Sequence, residues 1–373
     1  MLIFGLATLL EVGIAGAGPP PVFNVLNFGA KGDGFADDTQ MEGTLIAPND
    51  PRWWKGIDPS RWLQFQHVGT LNVFGGGIIN GRGQNWWKQS CKDNPKPAIT
   101  FEDCNDLWVR DLQSIDSPQV HMLLFNCQRA TLSNLKMVAP ELSPNTDGIH
   151  VQNSQHVYIQ NSTMQTGDDC ISIGDLVNDV HIDQIVCGPG HGISIGSLGR
   201  YGSAASVEGI TVRYSNFYGT TNGVRIKTWQ GGKGFVRGIR FEHCNFTKVD
   251  NPVIIDQYYC DSPSKCPPQA FRKALALISG AGSDTSTMII SEYRTVFVKP
   301  ISFISPCDDC ISTRDYVYDI DIESITCGPD NDIRLGSGNG GRRAQGEGRR
   351  AEEYRGLVGV EVDRRRGLGG RAG

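Results

Sequence analysis

No stretch of this 373-residue chain reaches the length of a membrane-spanning helix. The longest apolar run, Leu2 to Leu10, stops at Glu11 and has no basic stretch before it, so residues 1–21 read as a weak signal-peptide-like segment. Charge of one sign is scarce as well. The formal net charge is −5, from 35 Lys and Arg against 40 Asp and Glu, which excludes nucleic acid as the main partner. Helical periodicity is almost missing between residues 100 and 256, which excludes helix bundles and helix-covered sheets there. Glycine, by contrast, is plentiful at 46 residues, and 11 cysteines are many for a cytosolic protein. With N-x-S/T sequons at Asn161 and Asn245, they point to a secreted, extracellular protein. An odd cysteine count leaves at least one thiol without a partner in the chain.

In place of helices, short alternating runs rich in β-branched residues recur between Gly, Asn and Asp. Val109, Leu132, Ile159, Ile182, Val212 and Phe241 each lead such a run, and Ile149, Ile171, Ile193, Val224 and Val253 lead a second, interleaved set. Separations within both series fall between 22 and 31 residues. Two strand series with one loose period make each period a coil of a solenoid. The expected fold is all-β, a right-handed parallel β-helix, occupying residues 22–285. A propeller blade needs about 40–50 residues, too long for this period. Within Ile171-Ser172-Ile173 or Ile193-Ser194-Ile195 the outer residues should point into the coil and the middle one to solvent.

Residues 308–337 match residues 168–197 at 16 of 30 positions with a constant offset. This makes 286–340 a degenerate partial copy of the 168–197 region. The last segment, 341–373, holds nine Gly and nine Arg and is expected to be disordered.

Placed on the coils, the polar residues converge. Asp147 lies two residues before Ile149, Asp169 two before Ile171, and His191 two before Ile193. All three should therefore occupy equivalent corners of successive layers about 4.8 Å apart. Asp168 shares the turn of Asp169, and one layer on Arg225 and Lys227 take the outward places of Ser194 and Gly196. Clustered carboxylates repel, so one keeps a proton as general acid while its neighbours remain bases. A cation pair beside them suits an anionic sugar, which makes the expected substrate an acidic polysaccharide.

Each residue has a plainer reading. Asp-Asp in a turn is commonly a solvated or capping pair, His191 a surface turn residue, His150 an outward strand residue, and Arg225 with Lys227 a solvated face. It is the shared register that favours chemistry. Cys307-Asp308-Asp309-Cys310 has no further ligands at zinc spacing, so no metal site is expected.

Four segments, Asn145-Thr146-Asp147-Gly148-Ile149, Gly167-Asp168-Asp169-Cys170, Gly190-His191-Gly192 and Arg225-Ile226-Lys227, occur in that order. In them the chain resembles the polygalacturonases, the β-helical glycoside hydrolases that degrade pectin, and the plant members in particular. The resemblance runs from about residue 22 to residue 268. It implies a monomeric, metal-independent and cofactor-independent enzyme that hydrolyses α-1,4-linked galacturonan with inversion, which needs carboxyl groups about 6.5–9.5 Å apart. It also implies site roles: Asp168 as acid, Asp147 and Asp169 activating water, and His191 tuning the acid. Arg225, Lys227, Tyr259 and Asn145 would bind galacturonate. The disulfides it implies are Cys170–Cys187 and Cys260–Cys266.

The resemblance is interrupted in two places. Only Gln40 to Glu42 stand where the family carries several dozen residues, which implies incomplete first coils, and the sequence after Gln269 is unfamiliar. In the partial copy, Asn331 replaces His191 and Thr287 replaces Asp147, so no second active site is expected. Two other readings stay open at this point. One is an impaired relative that at most binds acidic glycan through Arg225 and Lys227. The other is a calcium-dependent polyuronate lyase, a class that shares the β-helix.

Overall fold

The computed structural model describes residues 37–54, 62–88 and 98–261. It also describes the strands Glu292–Phe303, Asp309–Thr313, Ile320–Thr326, Asp332–Leu335 and Val358–Val362. The leader expected at 1–21, Thr287, Cys266, Cys307 and Asn331 lie outside those residues.

Strand pairs throughout the described residues are parallel, as a solenoid requires. Each coil gives one strand to a ten-stranded sheet, in which Leu63–Gln66, Ile99–Glu102, Met122–Phe125, Ile149–Gln152, Ile171–Ile173, Ile193–Leu198, Asn222–Trp229 and Asn251–Tyr259 follow one another. The remaining strands of each coil join a second continuous sheet. Both predicted series are true ladders. Ile149, Ile171, Ile193, Val224 and Val253 are successive Cα partners, and so are Val109, Leu132, Ile159, Ile182, Val212 and Phe241. Every one of them is buried, so like side chains stack along the axis and form the core. Fully burying each such side chain is worth about 1.5–3 kcal/mol.

Corners between strands need backbone of positive φ, which is why Asn and Asp punctuate the sequence. Asp103, Asn126 and Asn153 follow successive strands with φ of 54°, 56° and 49°. They form a ladder of their own, in which Asn126 donates to Asp103, and Asn153 to Asn126 at 3.2 Å.

Past residue 285 the same two sheets continue: Glu292–Phe303 pairs with Lys233–Thr247, and Asp309–Thr313 pairs with Asn251–Tyr259. Within the segment expected to be disordered, Val358–Val362 is a strand paired with Ile320–Thr326. Its alternation Val-Gly-Val-Glu-Val fits a strand, a local signal that the Gly and Arg content of the whole segment obscures. No helix of the described residues is long and apolar enough to cross a membrane.

Three tryptophans near the start of the described coils, Trp54, Trp86 and Trp87, pack against protein. Trp54 and Trp86 are buried edge to face with centroids 6.4 Å apart, and the Trp87 indole N–H donates to the Ser117 carbonyl at 3.0 Å.

Candidate functional site

Three consecutive coils of the ten-stranded sheet, beginning with Ile149–Gln152, Ile171–Ile173 and Ile193–Leu198, carry Asp147, the pair Asp168 and Asp169, and His191 at their entry corners. Register aligns the outward strand positions His150, Ser172, Ser194, Arg225 and Ile254 in a single row. Ser172 and Ser194 do point outward, but they are 2% and 0% exposed. Alternation sets the side of the sheet a residue faces, and here carboxylates fold over that side.

Each buried serine holds an aspartate 25 positions earlier in the chain. The Ser172 hydroxyl donates to Asp147 Oδ2 at 2.7 Å, and the Ser194 hydroxyl donates to Asp169 Oδ1 at 2.7 Å. Asp147 and Asp169 thus occupy equivalent places on successive coils. His191 departs from the row. Its ring turns sideways, with Nδ1 3.0 Å from Oδ1 of Asp168. Asp168 also accepts from the Asp169 backbone N–H at 2.8 Å and from the Asn145 amide at 3.2 Å.

The glycines flanking His191 are required by backbone contact. A Cβ on Gly190, with φ of 139°, would sit 2.6 Å from the Asp168 carbonyl, and one on Gly192, with φ of 86°, 2.1 Å from the Asn222 carbonyl. Only glycine lets this turn lie so close to both neighbouring coils.

On the next coil Lys227 closes the site. Its Nζ lies 2.6 Å from Asp169 Oδ2, with side-chain exposures of 10% and 2%. Arg225 faces Asp256 at 3.6 Å, and its guanidinium stands 5.2 Å from the Tyr259 ring centre, with the Lys227 ammonium 5.6 Å from the same ring. The predicted cations and Tyr259 therefore gather beside the predicted acids. Chain order did not reveal Ser172, Ser194, His150 and Asp256 as parts of the site. The repeated 25-residue offset between Asp and Ser was the available signal for the two serines.

Burial raises Asp147 well above the ordinary carboxylate range, and the charges of Asp168 and Asp169 add to it. Burial and the neighbouring Asp168 also raise Asp169, although the Lys227 charge and the hydrogen bonds from Lys227 and Ser194 offset part of this. At Asp168 burial pushes upward too, but the His191 hydrogen bond and the His191 and Lys227 charges outweigh it and the group falls below the ordinary range. The same hydrogen bond raises His191. One proton is thus shared by Asp168 and His191, residing on the imidazole in the free chain. Burial would lower Lys227, yet Asp169, with Tyr259 and Asp168, more than compensates and keeps it charged.

His150 is half-buried and sits 2.7 Å from the Ser172 hydroxyl, rather than simply projecting outward. Burial lowers its pKa to about 4, so it is neutral near pH 7.

Asp168, Asp169 and His191 place one ligand atom each within 4.8 Å of one another, the geometry of a possible metal cluster among the described residues. The donors are already engaged, however: Asp169 by Ser194 and the Lys227 ammonium, Asp168 by His191 and Asn145. A divalent ion there would face a buried ammonium, so the residues do not fit one.

Cys170 and Cys187 form a disulfide that ties the acidic turn to the strand Val186–Cys187 of the same coil. Cys260 is also disulfide-bonded, while Cys104, Cys127 and Cys244 are free and buried.

Comparison with known proteins places this geometry. Residues 35–273 match the family model described as Glycosyl hydrolases family 28. A probable polygalacturonase of Arabidopsis thaliana is 43% identical over 309 residues, covering 69% of this chain and 70% of that protein. A polygalacturonase of Persea americana is 46% identical over 237 residues, covering 62% of this chain and 51% of that protein. Beyond the first of these, the chain spans about half the length of the curated relatives it matches. Among solved structures, a polygalacturonase from Erwinia carotovora ssp. carotovora aligns with a TM-score of 0.61 at 19% identity, covering 79% of this chain and 84% of that one, a likeness of fold. A family match over more than half of the chain, which includes the coils that carry Asp147 to Lys227, makes this chain a member of glycosyl hydrolases family 28.

Proposed function

We propose that the chain is an extracellular hydrolase that cleaves α-1,4-galacturonosidic bonds of polygalacturonan with inversion. One observation carries the reading: carboxylates from two successive coils meet beside an imidazole, with a buried Lys and an Arg one coil further on. Asp168 delivers a proton to the departing glycosidic oxygen and recovers it from His191. A uronate arriving beside Arg225 and Lys227 adds negative charge, which raises the proton affinity of the Asp168 and His191 pair and keeps one proton on it for transfer. Asp147, whose raised pKa makes it a stronger base once ionised, takes a proton from the attacking water, and Asp169 orients that water while held by Lys227 and Ser194. Water attacks the anomeric carbon as the bond to the leaving oxygen breaks, so a single displacement inverts the configuration.

Arg225, Lys227 and Tyr259 bind the uronate at the cleaved bond, and Asn145 supports Asp168 from the preceding coil. Extracellular placement is supported by the disulfides and by the exposure of both sequon asparagines, Asn161 and Asn245.

The test is product analysis on polygalacturonate. Hydrolysis predicts new reducing ends with inverted anomeric configuration at early time, no ultraviolet-absorbing double bond, and activity that survives chelation. An unsaturated product would establish a lyase instead. Binding without new reducing ends would leave only a glycan-binding protein.

A further inference from the structure

The row of cations and rings does not end at Tyr259. The strand Asn222–Trp229 continues past Lys227 to Trp229, whose Cα partner on the next coil is Tyr259. Their rings meet edge to face with centroids 6.0 Å apart, and on the other side the Tyr201 ring lies 5.7 Å from Trp229. Tyr201 belongs to the short turn Arg200–Gly202, which follows Ile193–Leu198, the strand that carries Ser194. The Arg200 guanidinium lies 4.8 Å from the Tyr201 ring centre and 5.5 Å from that of Trp229. Tyr259, Trp229 and Tyr201 thus form an aromatic row with Arg225 and Lys227 at one end and Arg200 at the other.

The hydrogen-bond inventory of this row is incomplete. Trp229 is only 6% exposed, yet its indole N–H has no acceptor among the described residues, and the buried Nε groups of Arg200 and Arg225 have none there either. Buried donors nearly always find a partner within the fold or in a bound group. None of the ion pairs among the described residues involves Arg200. Tyr201, by contrast, leaves 78% of its surface open. Unused donors that include a guanidinium, next to an open ring, match a sugar that carries a carboxylate: guanidinium and indole N–H bind the anion while the ring covers an apolar sugar face.

We propose that Arg200, Tyr201 and Trp229 form a second uronate subsite, which holds a galacturonate further along the same polymer than the one bound by Arg225, Lys227 and Tyr259. The proposal rests on the reading of the acidic cluster as a polygalacturonan site. It makes the chain selective for substrates long enough to span both places.

The experiment measures kcat and KM on purified oligogalacturonates of increasing length for wild type, Arg200→Gln and Tyr201→Ser. Because Tyr201 is open to solvent, its replacement should leave the melting temperature unchanged, which guards against misfolding. The expected result is a KM raised about tenfold on the longest oligomer in each variant, the scale of a lost hydrogen bond to a charged group, with the effect shrinking as the substrate shortens. Arg237→Gln, which breaks an exposed pair with Glu208 on the other sheet, serves as the control that changes neither constant. Equal loss at all lengths, or loss at none, overturns the subsite. If wild type hydrolyses no oligomer, the proposed function has failed and the subsite is judged separately by calorimetric titration with the hexamer. Tighter binding to wild type than to Arg200→Gln then supports it, and equal affinity or no binding overturns it.

Discussion

The chain contains the run Asp-Asp-Cys-Ile-Ser twice, at 168–172 and 308–312, and both copies enter the same ten-stranded sheet. Their internal register is alike, since Ile171 pairs with Ile193 and Ile311 pairs with Ile333. The neighbours differ. Ser172 lies between His150 and Ser194 in its row, whereas Ser312 lies between Ile254 and Arg334. Two residues before Ile149, on the coil preceding the first copy, is Asp147; two before Val253, preceding the second, is Asn251. The same five residues therefore stand between different neighbours in the two places. The run specifies a turn and a strand, while the adjacent coils specify the chemistry.

Removing a carboxylate from the first copy should break the likeness most strongly. Asp168→Asn and Asp147→Asn are each expected to lower kcat/KM on polygalacturonate by about 10²–10⁴, the usual contribution of a general acid or base. Reducing-end release checks this. Asp147→Asn should also raise the melting temperature, because burial and two neighbouring carboxylates already disfavour its charged form. Activity retained in Asp147→Asn would remove that residue from the mechanism.

The buried pair on the next coil comes second. Lys227→Met leaves Asp169 without its ammonium at 2% side-chain exposure, which should cost about 3–5 kcal/mol of stability. Denaturant unfolding measures it. Asp169→Asn added to Lys227→Met should recover most of the loss, since the penalty lies in the stranded charge. A double variant as unstable as the single one would refute that account.

His191→Ala should have a smaller effect, read in the pH profile. The proposed mechanism requires one proton on the Asp168 and His191 pair and none on Asp147. With Asp147 raised, the low-pH limb lies above the ordinary carboxylate value of 3.8; with His191 raised, the high-pH limb lies above 6.5. Without the imidazole, Asp168 must hold the proton alone, so the high-pH limb should move below 6.5 and the peak rate fall about tenfold. An unmoved limb would show that His191 does not supply the proton.

The ladders were legible in the sequence because stacking repeats an apolar residue at nearly constant intervals, and the meeting of Asp147, Asp168, Asp169, His191, Arg225 and Lys227 followed from counting residues back from them. Register alone did not tell which aspartate takes His191; only the family resemblance, which made Asp168 the acid that His191 tunes, pointed to it. Asp168 and Asp169 are adjacent on one turn, and only the backbone path through Gly190 and Gly192 decides that the imidazole reaches Asp168 while Asp169 reaches Lys227. The burial of Ser172 and Ser194 was hidden for a related reason: a period of two fixes the side of a sheet, whereas what covers that side comes from other coils. Val358–Val362 was missed because composition averaged over 33 residues conceals a five-residue alternation.

The smallest expected effect closes the comparison from the other side. Asp309→Asn alters in the second copy the position equivalent to Asp169, yet kcat/KM on polygalacturonate should change less than about twofold, the range of a substitution away from the chemistry. The register explains why. Across the strand pair, Asp309 has Asp332 as its Cα partner, and the register neighbours of Ser312 are Ile254 and Arg334, so the serine-beside-serine register of the first copy is not repeated. Asn331→His, which restores the equivalent of His191, should add no activity either, because the coil before the copy still offers Asn251 where Asp147 would be needed. If either substitution changed turnover more than tenfold while Asp168→Asn left it intact, catalysis would belong to the later coils. The rule that neighbouring coils decide the chemistry would then fail.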